Sequence, residues 1–75
     1  MNLVVTKKGN EAIDLVWGCD KYEITDGTLI CQTEDVIDTF EDITSVTHTT
    51  YEFDGEIPSD YGTVQYRFVD GQFVK

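Results

Sequence analysis

Two Asp-Gly dipeptides constrain this chain more than any other feature. Asp26-Gly27 stands inside "KYEITDGTLICQ" and Asp70-Gly71 inside "TVQYRFVDGQFVK". A type I′ turn needs positive φ at both central residues, which glycine adopts freely and aspartate tolerates. Asp-Gly between alternating apolar and polar residues therefore predicts a two-residue β-hairpin. In the first hairpin this register sets Thr25 against Thr28, Ile24 against Leu29 and Tyr22 against Cys31. Tyr22, Ile24, Leu29 and Cys31 then share a buried face, while Lys21, Glu23, Thr25, Thr28, Ile30 and Gln32 share the other. In the second, Phe68 faces Phe73 and Tyr66 faces Lys75. Val64, Tyr66, Phe68 and Phe73 lie on one side, and Gln65, Arg67, Val69, Gln72 and Val74 on the other.

The rest of the chain also reads as strand. "NLVVT" (Asn2–Thr6) is short and β-branched, and "EAIDLVWG" (Glu11–Gly18) follows after Gly9-Asn10, a usable hairpin turn that places Lys8 opposite Glu11. Both faces of this hairpin are fairly apolar, which suits a central position or cover on both sides. "TEDVIDTFED" (Thr33–Asp42) is ambiguous. Val36, Ile37, Phe40 and Ile43 fit a helical stripe with Thr33 as N-cap, yet Asp38, Glu41 and Asp42 would crowd the helix C-terminus, where negative charge is unfavourable. "ITSVTHTTYEF" (Ile43–Phe53) predicts one long strand, and "DGEIPSDYG" (Asp54–Gly62) a loop. Within it, Pro58 fixes its own φ and pushes Ile57 towards an extended conformation, so "IPSDYG" reads as a rigid corner. The expected fold is a single mainly β domain over residues 1–75. It is a small antiparallel sheet or compact barrel of about six strands built from hairpins, with one short helix near residues 34–41 as the alternative to a strand there.

Seventy-five residues bury only a modest core, and a hydrophobic share of 40% is nonetheless too high for a disordered chain. No segment approaches the ~20 apolar residues that span a bilayer. "MNLVVTKKGN" has its lysines after its apolar run, the wrong order for a signal peptide. Cys19 and Cys31 read as free thiols, since Cys31 falls on the buried face of its hairpin and Cys19, on an extended strand, would point to the opposite face. A thiol–histidine dyad would need His48, the only histidine, to approach one of them, and no nucleophile motif accompanies it. Glu34-Asp35 and Glu41-Asp42 are hard-oxygen pairs, but no calcium loop, no Cys/His zinc spacing and no glycine-rich phosphate loop occurs. The expectation is a protein without catalytic residues, metal or cofactor.

Charge is distributed unevenly. The net charge is −10, and between Tyr22 and Tyr66 eleven carboxylates occur without one Lys or Arg. Direct nucleic-acid binding needs basic groups against phosphates, so this composition argues against it. An acidic surface suits a basic protein partner instead. The candidate contact residues are Glu34, Asp35, Asp38, Glu41, Asp42, Glu52, Asp54 and Glu56, together with Tyr61, the aromatic placed in the loop rather than in the core.

The ending "FDGEIPSDYGTVQYRFVDGQFVK" resembles the C-terminal endings of small uncharacterised phage and prophage proteins, including short ones encoded near tail genes. Ile57, Pro58, Asp60 and Tyr61 match an acidic-Pro-acidic-aromatic turn, and Tyr66, Phe68, Gly71 and Phe73 match the hairpin after it. The resemblance covers the last third of the chain. It implies a small accessory or structural protein, tail- or virion-associated, residing in the host cytoplasm or the phage particle and acting by protein–protein contact with phage structural protein. The acidic stretch offers a second reading: an inhibitor that occupies the basic groove of a host nucleic-acid-binding protein by imitating its ligand. Free sheet edges on so short a chain are compatible with a homodimer.

Overall fold

A computed structural model describes all of residues 1–75. Eight strands occur: β1 (Asn2–Lys7), β2 (Ile13–Gly18), β3 (Lys21–Thr25), β4 (Thr28–Gln32), β5 (Ile37–Glu41), β6 (His48–Phe53), β7 (Arg67–Val69) and β8 (Gln72–Val74). They form two three-stranded antiparallel sheets, β2-β1-β6 and β3-β4-β5, and the β7-β8 hairpin. No barrel closes, and the count is eight strands instead of about six, with residues 37–41 adding β5 where a short helix was the alternative.

β1 is the centre. Leu3, Val4, Val5 and Thr6 are all buried, so consecutive side chains, which point to opposite faces, are covered on both sides. Leu3 and Val5 meet Cys19, Leu29, Cys31 and Ile43, with Leu15, Tyr22, Ile24 and Phe40 packed around them. This is the interface between the two sheets. Val4 lies opposite Tyr51 of β6, and Tyr51 and Phe53 pack onto Phe68 of the β7-β8 hairpin at ring-centroid distances of 5.1 and 5.6 Å. Three layers result, with β1 in the middle one. Each fully buried aliphatic side chain contributes roughly 1.5–3 kcal/mol of transfer free energy, which makes β1 the densest source of stability in the chain.

Both Asp-Gly hairpins have the predicted registers, including Tyr22 opposite Cys31 and Phe68 opposite Phe73. The β1-β2 hairpin departs from expectation. Lys7 N–H donates to Ala12 C=O at 2.9 Å, and Glu11, at φ 57°, donates to Lys7 C=O, giving a wider loop than Gly9-Asn10 alone. Lys8 does not pair with Glu11. Its backbone N–H donates to Thr47 C=O and its ammonium to Ser45 C=O at 2.7 Å. Beyond the loop, Thr6 pairs with Ile13 but Val5 pairs with Leu15, so Asp14 is the extra residue of a β-bulge.

Residues 34–41 contain no helix. Ile37–Glu41 is an antiparallel partner of β4, and Thr33 closes the preceding turn by accepting the Val36 N–H on its hydroxyl. That side-chain bond is the one an N-cap makes to its third residue, but here the chain reverses after it. The long strand expected over Ile43–Phe53 begins only at His48. Thr44 Oγ1 accepts from the N–H groups of Val46 and Thr47, and His48 N–H donates to Thr44 C=O. Threonine hydroxyls thus satisfy locally the backbone that a sheet would otherwise pair. Asp42, at φ 63°, ends β5 and turns buried Ile43 into the inter-sheet core.

A candidate protein-binding face on the acidic sheet

Between Asp20 and Asp42 the chain carries eight carboxylates and one lysine, Lys21. This segment is the β3-β4-β5 sheet with its turns. Asp20, Glu34 and Asp35 border a shallow recess at one end, next to exposed Val36 and Ile37. Asp26, Glu41 and Asp42 border a second at the other end, beside Thr44 and Thr47. None of these six carboxylates takes part in an ion pair or accepts a side-chain hydrogen bond. The antiparallel return of β5 along β4 is what brings Glu34-Asp35 and Glu41-Asp42 to the two ends of one edge.

The candidate residues divide. Glu34, Asp35, Glu41 and Asp42 are gathered around β5 and exposed. Asp38 turns inward and accepts a 3.1 Å hydrogen bond from Trp17 Nε1, while Trp17 packs edge-on against Phe40. Its carboxylate ties β5 to β2 and does not belong to the open face. Glu52 lies on β6 opposite Leu3, and Asp54 and Glu56 follow β6, so these three sit with the other sheet. Tyr61 packs edge-on against Phe73 at 6.2 Å, half-buried rather than free. Burial, and secondarily the negative charge of Asp14, push its phenol pKa up. Asp20, Glu23 and Asp26 join the acidic sheet although the sequence reading did not single them out. The signal that would have included them is the strand assignment of residues 37–41, which the helical alternative obscured.

Two other polar constellations are internal. Asp14 Oδ2 accepts from His48 Nε2 at 3.0 Å, and His48 Nδ1 lies 2.7 Å from Thr47 Oγ1. A carboxylate can only accept, so Nε2 carries a proton and donates it to Asp14, while the Thr47 hydroxyl is the hydrogen-bond partner of Nδ1. The bond crosses β1, because Asp14 is on β2 and His48 on β6. The bulge at Asp14 aims the carboxylate, and the sequence carried no signal for it. His48 therefore has oxygen partners on both nitrogens, and no thiol–histidine dyad forms.

The second constellation draws the "IPSDYG" corner onto the final hairpin. Tyr66 Oη donates to Asp60 Oδ1, and Lys75 Nζ lies 3.1 Å from Asp60 Oδ2. The Tyr66 hydrogen bond, followed by that from Lys75, holds the Asp60 carboxyl below its usual range, and the same contacts raise Tyr66 and Lys75. Phe73 is ringed by Phe53, Tyr61, Tyr66 and Phe68. Every aromatic from Phe53 to the C-terminal hairpin is therefore used in packing.

The two thiols meet, contrary to the sequence expectation that they face apart. Cys19 lies in the two-residue link between β2 and β3, where no strand alternation governs it, and it shares the buried inter-sheet cluster with Cys31. Burial pushes the Cys31 thiol up to about 12, with Cys19 and then Asp38 adding to the shift. No group of side chains is arranged to hold a metal ion, and no helix is present that is long and apolar enough to cross a membrane.

The chain matches no family model, no curated protein and no solved structure.

Proposed function

We propose that this is a small non-enzymatic accessory protein of the phage type, acting by protein–protein contact through the β3-β4-β5 sheet. The observation that carries the reading is the segregation of charge. Asp14, Asp38 and Asp60 are engaged with partners, whereas the carboxylates at both ends of β5 have none. Holding so many like charges on one small sheet destabilises the free protein by self-repulsion, and a basic partner surface relieves that repulsion. Exposed Val36 and Ile37 beside Glu34 and Asp35 supply apolar area for the same contact. The C-terminal resemblance supports the phage-type origin and a partner in the virion or its tail.

One observation favours the second reading, an acidic inhibitor of a host nucleic-acid-binding protein. Glu34-Asp35 and Glu41-Asp42 lie at opposite ends of one sheet edge, with Asp35 and Glu41 six residues apart, at most ~20 Å at ~3.3 Å per residue, so that paired charges are spread along a line as phosphates are along a backbone. The test compares the wild-type chain with an E34Q/D35N/E41Q/D42N variant as bait for phage-infected lysate, at low and high salt, with captured proteins identified by mass spectrometry. A particle protein captured by wild type and lost by the variant and in high salt supports the first reading, and a nucleic-acid-binding protein with that behaviour supports the second. Equal capture by both baits overturns the assignment of the face.

A further inference from the structure

β5 is an edge strand: its only backbone partner is β4. In an antiparallel ladder, alternate residues turn their N–H and C=O groups towards one neighbour and then the other. Thr33 N–H donates to Val36 C=O, which fixes the phase. Asp38 and Phe40 therefore bond to β4, and Ile37, Thr39 and Glu41 direct their backbone groups outward. The side chains of these three residues also lie together, on the outer sheet face with Ile30, and Ile37 is 66% exposed. Natural edge strands are usually shortened, bulged or covered. β5 has five regularly paired residues, no bulge and no covering strand, and its protection consists of the carboxylates at its ends.

From these features we propose that the outer edge of β5 is the docking line for an extended, basic segment of the partner protein, which adds a fourth strand to the β3-β4-β5 sheet. The proposal rests on the acidic-face reading and specifies how the partner engages it. The free N–H and C=O groups of Ile37, Thr39 and Glu41 supply the backbone ladder. Ile37 and Ile30 seat alternate apolar side chains on the outer face. Glu34 and Asp35 at one end, with Glu41 and Asp42 at the other, receive lysine or arginine side chains flanking the added strand. The same charges exclude a second copy of this chain, whose own β5 would bring like charges into register.

The test uses a seven-residue peptide of alternating lysine and valine, titrated into the full-length protein and followed by NMR and amide hydrogen exchange. The Ile37, Thr39 and Glu41 amides are expected to gain at least 10-fold protection on saturation. Thr39→Pro removes one outward N–H and no bond to β4, and it is expected to weaken binding at least 10-fold. A peptide N-methylated at alternate positions keeps the charge and loses the ladder donors. It is expected to fail in the same way, which keeps the question open to test should Thr39→Pro not fold. If Thr39→Pro and the methylated peptide bind as well as their parents while E34Q/D35N/E41Q/D42N does not, the edge proposal is overturned and the acidic-face reading survives. If no change affects binding, both fall. Protection of the same three amides in the protein alone, rising with concentration, assigns the edge to self-association and also overturns the proposal.

Discussion

The two Asp-Gly hairpins have nearly the same turn and opposite roles. Asp26 and Asp70 both sit at φ 51°, and Gly27 and Gly71 both at φ 77°. Beyond the turns, β3-β4 extends into a sheet whose surrounding carboxylates are largely unpaired, while β7-β8 packs its aromatic side chains against β6 and uses Asp60 to tie Tyr66 and Lys75 together. The turn dictates that a hairpin forms. The residues that flank it, such as Phe68 and Phe73 two positions from Asp70-Gly71, dictate whether it becomes a packing element or an exposed face.

The difference between the two hairpins is largest at Phe68, which is 2% exposed and touches Tyr51, Phe53 and Phe73. Phe68→Ala should cost about 3–5 kcal/mol, comparable to the ~3–5 kcal/mol a core of this size supplies, and so leave little folded protein by urea denaturation. Neutralising Glu34, Asp35, Glu41 and Asp42 should leave stability unchanged or raised, and a loss comparable to Phe68→Ala would show that the acidic face is structural after all. His48→Ala should cost about 1–3 kcal/mol by stranding the buried link across β1, with the β1–β6 amides losing exchange protection first. Gly27→Ala and Gly71→Ala report on the two turns separately. Neither site crowds a new Cβ, so only the left-handed backbone is penalised, by about 1–2 kcal/mol in each case. Unequal losses in chemical denaturation would mean that the flanking residues alter the turns themselves.

The smallest expected effect is acid-specific. The folded Asp60 carboxyl titrates below its unfolded value of about 3.9. Its contribution is therefore present above that value and lost as pH falls through the lowered folded one. NMR at decreasing pH should show the Tyr66 and Lys75 resonances moving with Asp60, while Asp60→Asn removes that step. At the alkaline end, Cys31 behaves in the opposite sense. Its raised pKa keeps the folded thiol neutral, so its contribution is fully present below about 9 and is lost as pH rises towards about 12.

What could be read from sequence depended on how local the physics was. The Asp-Gly registers were legible because two residues determine each turn. The double cover of β1 was legible from apolar residues on both of its faces. β5 was not, because Thr33 makes the same hydroxyl-to-amide bond in a reversing turn as in a helix cap. The 43–47 turn was hidden because threonine is β-branched and also able to satisfy its own backbone. The meeting of Cys19 with Cys31, and of Asp14 with His48, depends on a link and a bulge that no alternation rule describes. Of the acidic site, the excess of charge was visible in composition, but its division between a sheet edge and internal ties was visible only once β5 had its partner.

β1 also sets an order of events. Its neighbour β6 lies at the far end of the intervening sequence, with Asn2 paired to Phe53, whereas β3, β4 and β5 follow one another through short turns. Closing the longer loop costs more chain entropy before any contact rewards it. The β1-β2 hairpin and the acidic meander can form first and cover Leu3 and Val5 between them, which leaves the Val4 side of β1 waiting for β6, and the meander's negative charge keeps neighbouring chains apart through that interval.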